Sequence, residues 1–403
     1  MRILHTADWH LGARLIERDR LAEHAAFMDW LIETIRSEKI DAMLVSGDVF
    51  DAANPPQDAV ALYFDFIKRL ADLKTVKAII TGGNHDSASH LNAPRDLLKR
   101  FDVHVFGHSG DNLVDLGDCV VAAVPFLRER DLRQAVGGET LTTVHEQLRA
   151  AIKDHYSHQL AAAQSLAKGR PCIAMGHLTV MGATTSDSER DIHIGNLGSV
   201  GADVFEGFDY TALGHLHRPQ RVASKETIRY SGSPIALSFS EAADTKSVVL
   251  IDTENHSSAT ILLPSEASNW QKNEGRRMAL KILPIPVTRQ LIRVKAARAT
   301  LAADLENVPA GSWAEVTVKL DAPEPDLDRQ VREAAANRFE VLKVLADLPV
   351  SDTAPWQTKA PTLQDLQPRD VFRELLTEKQ IEGDELSAVF DELLALRQHE
   401  TPN

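Results

Sequence analysis

Three features of the sequence predict an α/β layered fold. Short apolar strands alternate with helix-spaced segments, polar residues stand just past each strand, and no run approaches the length of a membrane span. Met1 to Thr6 reads as a strand that ends at Asp8. Arg18 to Lys39 has helical spacing, with Leu21, Phe27, Leu31 and Ile35 available for one buried face. Ala42 to Ser46 is a second strand, ending at Gly47-Asp48. Ala59 to Leu73 is again helical, and Val76 to Thr81 is a third strand, ending at Gly82-Gly83-Asn84. In such folds ligands gather beyond the carboxyl ends of the strands.

Further strands are expected at Val103–Phe106, Cys119–Val124, Pro171–Met175, Thr211–Leu213, Ile228–Tyr230 and Ser247–Ile251, with a helical region over Ala135–Lys168. The polar, Gly-containing run Thr179–Gly198 reads as a long loop, and long loops inside compact domains are often functional. From about Met278 the pattern becomes a small β-α-β-α-β unit: Leu291–Lys295, Thr300–Glu306, Ala314–Leu320, Asp326–Arg338 and Val341–Leu345. Pro349 to Pro361, rich in Pro, Thr and Ser, reads as a linker. The tail from Pro361 to Asn403 carries two amphipathic helices. Val371, Phe372, Leu375 and Leu376 mark the first, and Leu386, Val389, Phe390, Leu393 and Leu394 the second, with a break at Gly383-Asp384. With ten acidic and four basic residues, this pair either packs on its own body or docks a partner helix.

The 403 residues suffice for two or three domains at about 100–200 residues each. Hydrophobic residues make up 43% and charged residues 25%, as in ordinary globular proteins. Met1 to Asp8 lacks the apolar stretch of a signal peptide. Cys119 and Cys172 lie in or beside apolar segments and read as buried free thiols, so a reduced cytoplasm is expected. The net charge of −14 argues against a general basic DNA-coating protein. It leaves room for a metal enzyme, because bound divalent cations reverse the local sign.

Five short motifs stand at strand ends: Asp8-Trp9-His10, Gly47-Asp48-Val49-Phe50-Asp51, Gly83-Asn84-His85-Asp86, Gly176-His177 and Gly214-His215-Leu216-His217. In four of them a Gly precedes the polar residue, which permits a sharp turn and a close approach of chain to ligand. Asp8, His10, Asp48, Asn84, His177, His215 and His217 make a plausible ligand set. Mixed imidazole, carboxylate and amide donors suit Mn, Fe or Zn better than an all-oxygen Mg or Ca cage. Two cations held about 3.5–4 Å apart can stabilise both the attacking and leaving oxygens of a phosphoryl displacement. A water bridging them would have a lowered pKa and could serve as hydroxide. His85, between Asn84 and Asp86, reads as a catalytic proton donor or charge stabiliser oriented by Asp86.

This ordered set is similar to the signature of the calcineurin-like metallophosphoesterases. His5 to Gly12, Thr179 to Asp191 with Arg190-Asp191-Ile192, and Tyr230-Ser231-Gly232-Ser233-Pro234 resemble, within that family, nuclease subunits that work with a separate ATPase. The resemblance implies a two-sheet sandwich flanked by helices, with a small α+β capping domain and a C-terminal helical pair. It implies a nuclease domain over 1–275, a capping domain over 276–348, and a linker with a helix-loop-helix docking segment over 349–403. It implies two Mn2+ ions, one on Asp8, His10, Asp48 and His217, the other on Asp48, Asn84, His177 and His215, with His85 catalytic and Asp86 supporting it. The implied activity is a 3′→5′ double-strand DNA exonuclease and a single-strand and hairpin endonuclease, serving DNA repair, recombination and replication. The implied partners are DNA, an ATPase subunit docked by its coiled-coil base on 361–403, and a second copy joined through helices around 56–70 and 88–100. The chain has no Gly-x4-Gly-Lys-Ser/Thr loop of its own.

Trp9 either packs beneath the site or stacks on a base, and Asp51 reads as support for a ligand. Arg14, Arg18, Arg20, Arg128, Arg130, Arg190 and Arg218 are candidates for phosphate contacts. His5, His104, His108 and His193 are not expected to be ligands, and Ser231 and Ser233 lack the paired base of a nucleophile. Two rival classes stay open: a hydrolase of small phosphoesters or nucleotides, and a non-catalytic DNA-end tether.

Overall fold

The computed structural model describes residues 1–132, 141–189, 199–253, 271–272 and 278–349, together with Phe372, Leu376, Leu386, Val389 and Phe390. The chain divides into two compact units, Met1–Lys319 with Glu324–Asp347, and Leu320–Pro323 with Leu348–Asn403.

Two sheets face each other in the first unit. The seven-stranded sheet runs Gln271–Lys272, Ala279–Pro284, Ser247–Asp252, Arg2–Thr6, Ala42–Ser46, Lys77–Thr81, Val103–Phe106. Its last four strands are mutually parallel, and Ser247–Asp252 joins Arg2–Thr6 antiparallel. The six-stranded sheet runs Gln220–Val222, Lys225–Tyr230, Tyr210–Gly214, Cys172–His177, Val120–Ala123, Leu113–Asp115. Strands buried on both faces explain the unbroken apolar runs. Leu4, Met43, Val45, Ala78 and Ile80 pack under the helices Leu21–Ser37 and Gln57–Asp72, whereas Ile3, Ala42, Leu44 and Ile79 meet Ile173, Met175 and Ala212 of the other sheet. The helix Leu141–Ala167 covers the far side, with Ile152 and Tyr156 against Ala174 and Leu213. Cys119 and Cys172 are buried free thiols.

The small unit expected near the C-terminus is a parallel three-stranded sheet, Leu291–Ala297, Trp313–Lys319, Glu340–Asp347, with helices Leu301–Glu306 and Leu327–Ala335. Three elements depart from the sequence reading. Ala279–Pro284, placed beyond the 275 boundary, is a full strand of the seven-stranded sheet, paired from Ser247↔Pro284 to Asp252↔Ala279. That pairing carries the two-sheet body to Pro284. The helix expected from Arg18 begins at Leu21, because Arg18–Asp19 is taken up in a hairpin with Arg14–Leu15; Asp19 Oδ1 accepts from Leu21 N at 2.7 Å where the helix starts. Leu113–Asp115 is a short edge strand against Val120–Ala123.

In the second unit, Phe372 and Phe390 are helical and their rings stack at 4.0 Å, so residues from the two expected tail helices meet. The remainder of the tail and of the loop from 190 to 198 lies outside the described residues.

His5 forms a polar link between the sheets. Its Nε2 lies 3.2 Å from the Leu213 carbonyl oxygen, which can only accept, so Nε2 carries the proton. Nδ1, 3.0 Å from the Tyr210 hydroxyl, accepts. Burial lowers its pKa from 6.5 to about 3. The unfolded chain therefore takes up a proton below pH 6.5 that the folded chain refuses, and stability falls as pH drops through that window. We expect acidification from pH 7 to 5 to cost ~2 kcal/mol through this residue. Urea unfolding of His5→Gln should show a correspondingly weaker pH dependence; an unchanged slope would refute the assignment.

Candidate metal centre

The site is assembled by backbone that is costly to hold. Asp8, His10, Asp48 and His215 have φ of 53°, 48°, 48° and 99°, values rare for residues with a Cβ and concentrated at functional sites. Each turns the chain sharply at a strand end. Backbone bonds lash the first two loops together: Asp8 N to Gly47 O, His10 N to Asp48 O and Leu11 N to Val49 O, all 3.0 Å. Two glycines are required by contact. A Cβ on Gly83 would stand 2.1 Å from Asp48 Oδ1, and one on Gly214 would stand 1.8 Å from Ser46 O.

All seven residues singled out from the sequence converge. Asp48 Oδ2 lies 3.5 Å from His10 Nε2 and 3.2 Å from His177 Nε2. Asn84 Oδ1 is 2.9 Å from His177 Nε2 and 3.1 Å from His215 Nδ1. Asp8 Oδ1 accepts from His215 N at 2.7 Å, and His217 Nε2 faces His10 Nε2 at 3.1 Å. Asp48 thus stands between a His10/His217 side and a His177/Asn84/His215 side. Asp8, Asp48 and His177 form one close cluster of metal-capable atoms, and His10, Asp51 and His85 another.

The electrostatics describe a site built for positive charge. Burial pushes the Asp8 carboxyl up to about 7 despite the pull of His177. At Asp48 burial acts in the same direction, but His177 and His10 outweigh it and hold the carboxyl well below its ordinary range. His177 is raised to about 9, since Asp48 and Asp8 overcome the burial penalty. Burial lowers His215 to about 3 and His217 to about 4. Asp8 Oδ2 is buried without a hydrogen-bond partner. An orphaned carboxylate oxygen among imidazoles and an amide oxygen is a donor set that fits divalent cations.

His85 and Asp86 differ from expectation in one respect. Adjacency suggested that Asp86 orients the His85 ring. His85 Nδ1 instead lies 2.7 Å from the Asp51 carbonyl oxygen. The Asp86 carboxylate accepts from Val49 N, Phe50 N and Gly83 N at 3.0, 2.9 and 2.9 Å. Neighbouring side chains leave the backbone in different directions, so Asp86 braces the Asp48 loop against the Asn84 loop. Asp51 Oδ1 lies 3.1 Å from His10 Nδ1 and so orients that ring.

The remaining candidates separate clearly. Trp9 is 0% exposed, edge-on to Phe27 and Phe66, with its indole N–H on Thr6 Oγ1 at 3.0 Å. It is the floor of the site and has no face free for a base. Arg20 is buried against Glu23 and the Ala236 carbonyl, and Arg218 pairs with Asp244, so both are engaged internally. Arg14 reaches Glu17 O, Arg18 pairs with Glu340, Arg130 with Asp131, and Arg128 Nη2 lies 3.4 Å from Asp86 O. Arg190 and His193 lie outside the described residues. Sequence reasoning missed Ser188, Glu189, Glu241 and Lys246, which surround His217. The signals in the sequence were the long loop and the resemblance over Thr179 to Asp191, whose described part carries Ser188 and Glu189.

Comparison with known proteins agrees with this geometry. The calcineurin-like phosphoesterase profile matches residues 1–219, and one described as the Type 5 capsule protein repressor C-terminal domain matches residues 287–380. The chain is 34% identical over 396 residues to SbcD, a subunit of the nuclease SbcCD, of Escherichia coli, covering 95% of this chain and 94% of that protein. The Bacillus subtilis counterpart is 35% identical over 285 residues, covering 68% and 69%. That of Rhodobacter capsulatus is 39% identical over 271 residues, covering 62% and 66%. A strand-end cluster of Asp, Asn and His on a two-sheet scaffold, together with likeness along nearly the whole length of such a relative, makes this chain a calcineurin-like phosphoesterase of the SbcD family.

Proposed function

We propose that the chain is the metal-dependent nuclease subunit of an SbcCD-type complex, a hydrolase that cuts the phosphodiesters of DNA. The position of Asp48, between His10 and His177 in a buried cluster, carries this reading. Asp8, His10, Asp48 and His217 would hold one divalent cation, and Asp48, Asn84, His177 and His215 the other, with Mn2+ as the proposed metal. The pair, when bound, supplies Lewis-acid stabilisation of both oxygens of an in-line displacement at phosphorus and acidifies water.

The chain's own residues do the rest. The Asp51 carbonyl oxygen only accepts, so His85 donates Nδ1–H to it, and Nε2 is the ring nitrogen proposed to act on the substrate. As imidazolium, that Nε2–H neutralises the departing oxygen, a role worth ~10²–10⁴-fold in rate. Asp86 keeps the two ligand loops in register, and Trp9 keeps the floor rigid and dry. The 3′→5′ duplex exonuclease and the single-strand and hairpin endonuclease remain the proposed activities. An SbcC-type ATPase docked on 361–403 and a second copy of this chain are the proposed partners. Among the described residues, no helix is long and apolar enough to cross a membrane.

With Mn2+, the full chain should cut duplex and hairpin DNA, with and without the ATPase and ATP; cleavage confined to a small diester would replace this reading with a small-substrate hydrolase. His85→Gln should lower cleavage by ~10²–10⁴-fold while both metal equivalents stay bound. Loss of metal along with activity would make His85 a ligand. Asp48→Ala should lose both equivalents in elemental analysis, whereas His217→Ala should lose one. Deleting residues after Pro361 should spare cleavage and abolish co-purification with the ATPase, and an intact complex would sink the docking claim.

A further inference from the structure

His217 is held more completely than a ligand on a surface loop needs to be. Its backbone N–H donates to Glu189 Oε1 at 2.8 Å. Its carbonyl oxygen accepts from Lys246 Nζ at 2.8 Å and from Ser233 N at 3.1 Å. Its ring Nδ1 lies 2.7 Å from Ser188 Oγ and 3.5 Å from Glu241 Oε1, and Ser188 Oγ in turn donates to Glu241 Oε1. Glu241 is fully buried, and its other oxygen accepts from Lys246 Nζ. Every polar atom of His217 except Nε2 therefore has a partner on this side of the site.

The direction of the chain of bonds follows from valence. The Glu241 carboxylate only accepts. It takes the Ser188 hydroxyl proton, so Ser188 Oγ accepts from His217 Nδ1–H. The ring proton is thus committed to Nδ1, and the Nε2 lone pair faces His10 Nε2, 3.1 Å away. The His10 ring is arranged alike, with Nδ1 on the Asp51 carboxylate. Two imidazole nitrogens whose ring protons are used on their far sides would offer their lone pairs to a cation held between them. A buried carboxylate behind a ligating His raises its basicity and fixes its ring. The Lys246 ammonium keeps that carboxylate charged and ties it to the His217 backbone.

We propose that Ser188 and Glu241, backed by Lys246, are positioning residues that orient His217 and set cation affinity on the Asp8/His10/Asp48/His217 side alone. This rests on the paired-cation reading above. The described part of the loop, through Ser188 and Glu189, is thereby part of the metal centre.

The test is calorimetric titration of Mn2+ alone into the full chain, with stoichiometry from equilibrium dialysis and folding checked by thermal melting in chelator. Ser188→Ala and Glu241→Gln should each weaken one of two equivalents by ~10–100-fold, with the other unchanged. Glu241→Gln leaves the Lys246 ammonium buried without its counter-charge, so Glu241→Gln combined with Lys246→Met, which removes both charges, is titrated beside it and should show the same selective loss. Ser188→Thr, which keeps the hydroxyl, should restore wild-type affinity. Wild-type affinity at both sites in folded variants, or equal loss at both, would overturn the proposal. Fewer than two equivalents in the wild-type chain would overturn the paired-cation reading and this proposal with it.

Discussion

Asp8 and Asp48 are two carboxylates buried side by side at the ends of adjacent parallel strands, and their need for positive charge organises the rest of the site. Removing an anion from water costs several kcal/mol unless a partner replaces the lost solvation. The partners here are imidazoles and two backbone N–H groups, and Asp8 keeps one oxygen without any hydrogen bond. A site so arranged holds acceptors in excess of donors, and that excess fits cations better than a closed network of protein hydrogen bonds.

Holding such a site demands a rigid frame. Four of the seven converging residues sit at positive φ, each at a cost of roughly 1–3 kcal/mol. The frame that sustains them is the double-sheet core, with Leu4, Met43, Val45 and Ile80 under one layer of helices and Ile3, Leu44 and Ile79 between the sheets. Parallel strands matter because they bring several carboxyl ends to one edge. Asp86 then joins two of those ends through three backbone N–H groups, and Trp9 closes the space below. The His85 ring, fixed by the Asp51 carbonyl, is placed by the same loop that supplies Asp48.

The overall charge of −14 fits this picture once cations are counted as part of the working molecule. Several arginines near the site are already paired with carboxylates or backbone oxygens, Arg20 with Glu23 and Arg218 with Asp244 among them. Under the proposed function, attraction for the DNA backbone then comes from the metal centre and from the partner subunit more than from a broad basic face.

The α/β layering, most strand positions and the seven convergent side chains are legible in the order of residues alone. Those signals are local: an apolar run of strand length, followed at once by Gly and a polar residue, is written in consecutive letters. Other features emerge once the chain is folded. Ala279–Pro284 extends the first sheet, Asp86 braces loops while the Asp51 carbonyl meets His85, and Ser188, Glu241 and Lys246 close around His217. Each of these depends on which distant segments pair or on the direction in which a side chain leaves a strained turn. Neither quantity is encoded in spacing along the chain, because pairing partners tens of residues apart are chosen by the packing of the whole core.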